Sequence, residues 1–375
     1  MSDDTLTMLA DAAAAFAKPD ARRVRALRGS ADGYDRATWR QMAELGWLSI
    51  QVPEAQGGLG LGLAASATLA TRIGYAAFPE PFVSGAVMAP WCLAGARADS
   101  CGERALASVV AGDCVAAVAW QGDAGRLEID ACGVSASATP TGAVLSGSSR
   151  FVLPASADAF IVAATGSQGL ALFWVPRDTQ GLEVRAEPCA DGGASGWLRF
   201  TDVALPHDNR LADGEAAELL RSAIDQGTVA VSAELVGLMD RALEMTLDYL
   251  RTRKQFGKPI GSFQALQHRA VDIWIQRQLA RAVVDASVRT LDSAASTPAA
   301  RTQAASSAKS RASHAALLLC NQAVQLHGAI GFTDEYDLGL YVNRALTLSA
   351  WMGNGAEHRR RWGAMTSPLS TSSRK

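Results

Sequence analysis

Hydrophobic positions recur at two different periods along this chain, and the switches between them divide it into three stretches. Up to about residue 114 the spacing is helical. In 37–48, Trp39, Met42, Ala43, Leu45 and Trp47 mark one face, and Gly46-Trp47 ends it. From about 115 short apolar runs take over, at 115–119, 144–145, 151–153, 159–163, 170–175 and 197–203, separated by Gly, Ser, Asp and Pro turns. That pattern predicts a small antiparallel β domain, closed by Phe200-Thr201-Asp202-Val203-Ala204-Leu205-Pro206. From about 214 the helical period returns. Leu235, Met239, Leu243, Thr246 and Leu250 form one stripe, 267–291 a second helix, and 302–324 a third beyond the turn at Ser296-Thr297-Pro298. The expected fold is α+β: an N-terminal helical domain (1–114), a middle β domain (115–213) and a C-terminal four-helix bundle (214–375). Stripes of this kind face a core, so chemistry is to be sought at the corners between helices.

With 375 residues and 49% hydrophobic content, the chain can bury a large core in two or three lobes. A net charge of −2 gives no basic field for nucleic acid. Six cysteines without a CxxC pair read as buried free thiols of a reducing cytoplasm, and the expected localisation is cytoplasmic. The start Met-Ser-Asp-Asp lacks the charge and apolar pattern of a signal peptide, and no apolar run reaches the roughly 20 residues of a membrane span. The five histidines show no metal-ligand spacing, so no metal is expected. The end of the chain, from 366, reads as a frayed polar tail.

The corner between the first two C-terminal helices carries the most chemistry: Arg251-Thr252-Arg253-Lys254-Gln255-Phe256-Gly257-Lys258-Pro259-Ile260-Gly261-Ser262-Phe263-Gln264. Guanidinium forks bind pyrophosphate, and Phe256 can lie against a ring, so the corner suits an anionic, partly aromatic ligand such as a dinucleotide. A glycine-rich run, Gly57-Gly58-Leu59-Gly60-Leu61-Gly62, imitates a phosphate-binding fingerprint but follows a helical segment and lacks a βαβ unit; it is expected to be an irregular connector.

The corner run closely resembles the signature of acyl-CoA dehydrogenases, and Gln325-Leu326-His327-Gly328-Ala329-Ile330-Gly331-Phe332 resembles their second motif. Helical, β, then helical order agrees over nearly the whole chain. The resemblance implies FAD as cofactor, an acyl-CoA thioester as substrate, and α,β-dehydrogenation. By motif it assigns Arg253 to the pyrophosphate, Phe256 to the adenine side, and Gln264, Gln325 and Gly328 to further contacts with the dinucleotide. It also implies a homo- or hetero-oligomer, a tetramer in the usual form, with an electron-transferring flavoprotein as acceptor. Two departures stand out. Where the family has Trp-Ile-Thr beside the flavin this chain has Phe151-Val152-Leu153, and Thr-Glu-Pro-x-Ala-Gly-Ser-Asp is replaced by 119–126.

The family's proton-abstracting Glu, in Tyr-Glu-Gly-Thr, aligns with Met352 in Ala350-Trp351-Met352-Gly353-Asn354-Gly355. Its minority position, on the preceding helix, aligns with Gly227. Neither side chain removes a proton, although the backbone N–H at 352 remains a donor for an oxyanion. The catalytic base is thus unassigned, and several readings stay open. Asp225 or Glu357 substitutes; the chain is the base-lacking subunit of a heteromeric dehydrogenase, such as those acting on steroid or dicarboxylic acyl-CoAs; it is a non-catalytic scaffold supplying part of the FAD site; or it is a flavin monooxygenase on the same fold. The cluster His358-Arg359-Arg360-Arg361 reads as a solvated helix face.

Overall fold

The computed structural model describes residues 3–366, so all but the first residue of the expected polar tail lies outside the described residues. Six helices come first: α1 (Asp3–Phe16), α2 (Ala21–Leu27), α3 (Arg36–Glu44), α4 (Gly62–Ala76), α5 (Ala89–Ala94) and α6 (Gly102–Val110). Eight strands follow: β1 (Ala116–Ala119), β2 (Val134–Thr139), β3 (Gly142–Val152), β4 (Ala159–Gly166), β5 (Gly169–Pro176), β6 (Leu182–Pro188), β7 (Ala194–Pro206) and β8 (Arg210–Ala212). Then come α7 (Ala216–Thr252), a two-strand hairpin of β9 (Lys254–Gln255) and β10 (Lys258–Pro259), and α8 (Gln264–Asp292), α9 (Pro298–His327), α10 (Leu338–Ala350) and α11 (Gly355–Thr366). Two compact units result. One comprises Met1–Ala26, Ala67–Phe78 and Thr228–Lys375, the other Leu27–Ser66 and Pro79–Gly227.

The second unit is built around the sheet, in the order β6-β7-β3-β2-β4-β5-β8. It is mixed, which corrects the antiparallel expectation: β1 runs parallel to β4 (Ala116↔Ala159 to Ala119↔Val162), and β2 pairs parallel with β4 at Ser135↔Thr165. Apolar runs report burial on both faces and say nothing of strand direction, so the parallel pairs were invisible to periodicity. Leu145, Phe160, Val162, Phe173, Leu198 and Val203 are central to the core beneath this sheet. Arg36 fastens α3 to it. Its guanidinium grips Asp158 with two bonds of 2.9 Å while Nε donates to Asp32 at 2.9 Å. Asp158 also accepts from the N–H of Val115, just before β1. The glycine-rich connector is folded on itself. The N–H groups of Gly58, Gly60 and Leu61 donate to the carbonyls of Pro53, Val52 and Ile50, leaving no cradle for a phosphate.

In the first unit α9 is the central helix, with α8, α10 and α11 against it. Its buried face is mostly small: Ala305, Ala308, Ala312, Ala315, Ala316 and Ala323. Small side chains let neighbouring axes come close. The segment Pro298–Phe332 is long and apolar enough to cross a membrane by length and composition alone, but that apolar face is the core of the unit. Ion pairs lock the neighbours. Arg277 and Arg281 of α8 both donate to Asp240 of α7, and Arg344 of α10 donates twice to the buried Glu234, at 3.0 and 2.8 Å.

α4 and α7 cross in this unit at two glycines. A Cβ on Gly237 would stand 1.8 Å from the carbonyl oxygen of Thr71, and one on Gly74 would stand 2.0 Å from that of Glu234. Backbone meets backbone here, so even a methyl group has nowhere to go. Gly237→Ala is expected to lower stability by roughly 3 kcal/mol, the upper range for overpacking. Urea unfolding measures it, and an unchanged midpoint would contradict so close a crossing.

Candidate functional site

The corner that ends α7 is a tight hairpin. β9 and β10 pair as Gln255↔Lys258 and Lys254↔Pro259, leaving Phe256 and Gly257 as the two turn residues. Their φ values of 53° and 77° are those of a type I′ turn, which glycine fills without strain and phenylalanine does not. The turn lifts the Phe256 ring clear of the fold, 89% exposed, with Phe263 edge-on at 6.0 Å. Arg253 is held at its backbone, by N–H to Tyr249 at 2.9 Å and by its carbonyl to the N–H of Ile260 at 2.8 Å. Its guanidinium is exposed and makes no ion pair among the described residues. Gln264, at the first position of α8, is exposed too.

The second motif ends α9. Gly328, at φ 67°, donates its N–H to the carbonyls of Val324 and Gln325 and turns the chain into a 3₁₀ segment, Gly328–Phe332. Gln325 and Gly328 are both exposed, as is Phe332 at 75%. One aromatic stack joins the two motifs. Tyr249, whose carbonyl holds Arg253, lies 4.6 Å from the buried ring of His327, with Tyr336 5.0 Å from that ring. The two corners are therefore neighbours, although the sequence separates them widely. All five expected contacts, Arg253, Phe256, Gln264, Gln325 and Gly328, are solvent-facing on a single chain.

In the sheet unit, the segment replacing the family's flavin-side motif is tied to β3. The Gln121 side chain donates to the carbonyl of Gly125 at 2.9 Å, and the Gln121 carbonyl accepts from the N–H of Arg150 and the hydroxyl of Ser149. The half-buried Leu153 offers no side-chain donor. Gly227 is buried within α7, and Asp225, 3% exposed, lies beside Gln226, whose amide bonds Gln51 at 3.2 Å.

At 350–355 the chain turns between α10 and α11. Met352 is 1% exposed and takes φ 60°, and Gly353 takes φ 89°. Beneath the turn lies Lys309 of α9, wholly buried, donating to the carbonyls of Ser349 (3.2 Å), Trp351 (2.7 Å) and Gly353 (2.7 Å). His358 of α11 bonds the carbonyl of Met352 at 2.8 Å through Nε2, which must carry the proton because a carbonyl only accepts. His358 is fully buried, so the reading of 358–361 as a solvated face fails at its first residue; Arg359 and Arg360 are exposed as expected. Burial pushes Lys309 down from 10.5 to about 7, with Glu357 pulling the other way. It pushes His358 down from 6.5 to about 3, helped by Lys309. Sequence reasoning missed both residues. The available signal was a lone lysine inside an alanine stripe, at 305, 308, 309, 312 and 316.

Two family models match the chain: "Acyl-CoA dehydrogenase, N-terminal domain" over residues 3–113 and "Acyl-CoA dehydrogenase, C-terminal domain" over 217–365. The acyl-CoA dehydrogenase IpdE2 of Mycolicibacterium smegmatis is 31% identical over 349 residues, covering 92% of each protein. Among solved structures, the Tcur3481-Tcur3483 steroid acyl-CoA dehydrogenase superposes with a TM-score of 0.87 at 28% identity, over 98% of this chain and 99% of the other. The ChsE4-ChsE5 complex from Mycobacterium tuberculosis gives 0.87 at 25% identity, over 100% and 99%. The chain belongs to the acyl-CoA dehydrogenase family of oxidoreductases. FAD is the cofactor of that family, and an unpaired guanidinium beside an uncovered aromatic ring suits a dinucleotide.

Both buried nitrogens titrate below their unfolded values, so the folded chain binds fewer protons than the unfolded one across each window. The His358 contribution to stability is complete above pH 6.5 and lost as pH falls toward about 3. That of Lys309 is complete above pH 10.5 and lost as pH falls toward about 7. Stability should therefore rise with pH between about 7 and 10.5, by on the order of a few kcal/mol from this residue. Lys309→Met should flatten that rise in urea titrations, and an identical slope in the variant would contradict the assignment.

Proposed function

We propose that this chain is an FAD-binding subunit of an oligomeric acyl-CoA dehydrogenase that lacks its own carboxylate base and completes its active site with a Glu-bearing partner. The observation that carries this reading is the buried thioether of Met352 at the family's base position, with the side-chain-less Gly227 at the alternative one. Asp225 and Glu357 are the nearest acids in sequence, but within α7 Asp225 is turned by roughly 200° from position 227, and Glu357 lies in α11, where its charge acts on the buried Lys309.

In this reading Arg253 binds the pyrophosphate, Phe256 covers the adenine side, and Gln264, Gln325 and Gly328 line the rest of the dinucleotide. The exposure of all five on one chain supports a site closed by another subunit. So does α8, whose outward face shows Val271, Trp274, Ile275 and Leu279, each 40–53% exposed, as an apolar stripe at helical spacing. Bound FAD would supply the hydride acceptor for the β-carbon. The chain's own part is to bind and orient the dinucleotide and to offer the N–H of Met352 to the thioester carbonyl, while the α-proton goes to the partner's carboxylate. Similarity to a steroid dehydrogenase and to a complex of two differently named chains supports a bulky acyl group and a heteromeric assembly. An electron-transferring flavoprotein is the proposed acceptor.

Two measurements test this. The chain purified alone should not bleach its flavin when a steroid-derived acyl-CoA is added anaerobically; bleaching would mean a self-sufficient base and overturn the reading. Arg253→Ala should weaken flavin retention tenfold or more, about the worth of one charge-assisted hydrogen bond. Unchanged flavin content per polypeptide would remove Arg253 from the pyrophosphate.

A further inference from the structure

The turn at 351–353 is unusual in where its peptide groups point. Each of its three carbonyls is taken by a buried nitrogen: those of Trp351 and Gly353 by Lys309 at 2.7 Å, and that of Met352 by His358 at 2.8 Å. The third proton of the ammonium goes to Ser349, at the end of α10. In its ammonium form Lys309 has three donors and is saturated by backbone alone. The N–H groups of Met352 and Gly353, in contrast, donate to no group among the described residues, although both residues are buried. Folded proteins rarely leave two adjacent buried N–H groups unanswered. Met352 and Gly353 take φ 60° and 89°, so the chain here is a tight turn outside any helix or strand, where its N–H groups have no ladder to join.

We infer that Lys309 and His358 are positioning residues, which hold the 351–353 turn by its carbonyls so that the N–H groups of Met352 and Gly353 form an oxyanion-binding pair for the thioester. The inference rests on the proposed function for the identity of the ligand, but the clamp itself does not. Because the carbonyls are gripped from within, the shape of the turn owes little to the side chain at 352. A Glu can be exchanged there for a Met while the backbone donors stay in place. The charged and titratable groups around the clamp are Glu357, which favours the Lys309 charge, and Arg361, which together with Lys309 opposes charge on His358.

Two readouts on the purified full chain decide the matter. The first is hydrogen–deuterium exchange of the peptide spanning 350–355. Lys309→Met and His358→Gln should each speed its exchange tenfold or more, with peptides from α8 and the sheet unchanged. Unaltered exchange at 350–355 in a folded variant would overturn the clamp. The second is the red shift of bound cinnamoyl-CoA, an aromatic enoyl thioester whose absorbance moves as its carbonyl is polarised. The variants should bind it about tenfold more weakly, 1.4 kcal/mol, and lose most of the shift while keeping their flavin. A full red shift in either folded variant would overturn the positioning role, since a merely structural lysine would not govern carbonyl polarisation. If the wild-type chain gives no red shift, the thioester-binding part of the proposed function fails and the oxyanion role with it; exchange still decides the clamp. Should Lys309→Met not fold, His358→Gln carries both readouts alone.

Discussion

An ammonium cannot be left bare inside protein; it must find oxygen ligands or lose its proton. Lys309 meets that demand with three backbone carbonyls, and much of the first unit follows from it. The carbonyls it uses are those at the end of α10, so that helix stops at Ala350 and the chain swings out of helical geometry at Trp351. Asn354 then caps α11, accepting from the N–H groups of Ala356 and Glu357, and α11 returns His358 to the same turn. Three helices are thus fixed around two buried nitrogens, Lys309 Nζ and His358 Nε2. A water molecule could bridge two of these carbonyls, but only a tethered cation ties α9 to both α10 and the turn.

The corner at 251–264 obeys the opposite economy. Among the described residues nothing covers the Phe256 ring, 89% exposed, and the hairpin that projects it has a positive φ at that residue. Strain and apolar exposure together are costs a monomer gains nothing from. They make sense where a ligand or a second subunit covers the ring. The Tyr249–His327 stack keeps this projecting corner beside the end of α9, so the two motifs act as one surface.

Much of this was legible in the sequence because helical stripes and motif corners are local. The 267–291 and 302–324 stripes became α8 and α9 with a few residues added at each end. The run at 144–145 and all of the run at 151–153 but Leu153 were parts of a single strand, β3, whose intervening Ser146-Gly147-Ser148-Ser149-Arg150 is too polar and bulged to announce itself. β2 and β6 were missed because their burial is slight: only Val134 is fully buried in the first and no residue in the second. The parallel pairing of β1 with β4 joins residues far apart in the chain, which no local pattern encodes. His358 was misread because three arginines follow it, and composition assigns a cluster to the surface as a whole. The backbone turn above Lys309 was beyond reach for a deeper reason: carbonyl direction is not written in side-chain hydrophobicity.

The residue at 352 brings these strands together. Its surroundings are buried and its backbone is left-handed, a place where a carboxylate would have to be desolvated and a branched side chain would clash. Methionine is close to glutamate in volume, unbranched and free of that desolvation cost. A subunit relieved of proton abstraction would therefore gain by the exchange, provided the turn kept its shape. The Lys309–His358 grip meets that condition, because it acts on carbonyls that every residue possesses. On the proposed function, loss of the base and retention of the backbone donors are compatible consequences of one arrangement, and a division of labour between unlike subunits would be physically inexpensive.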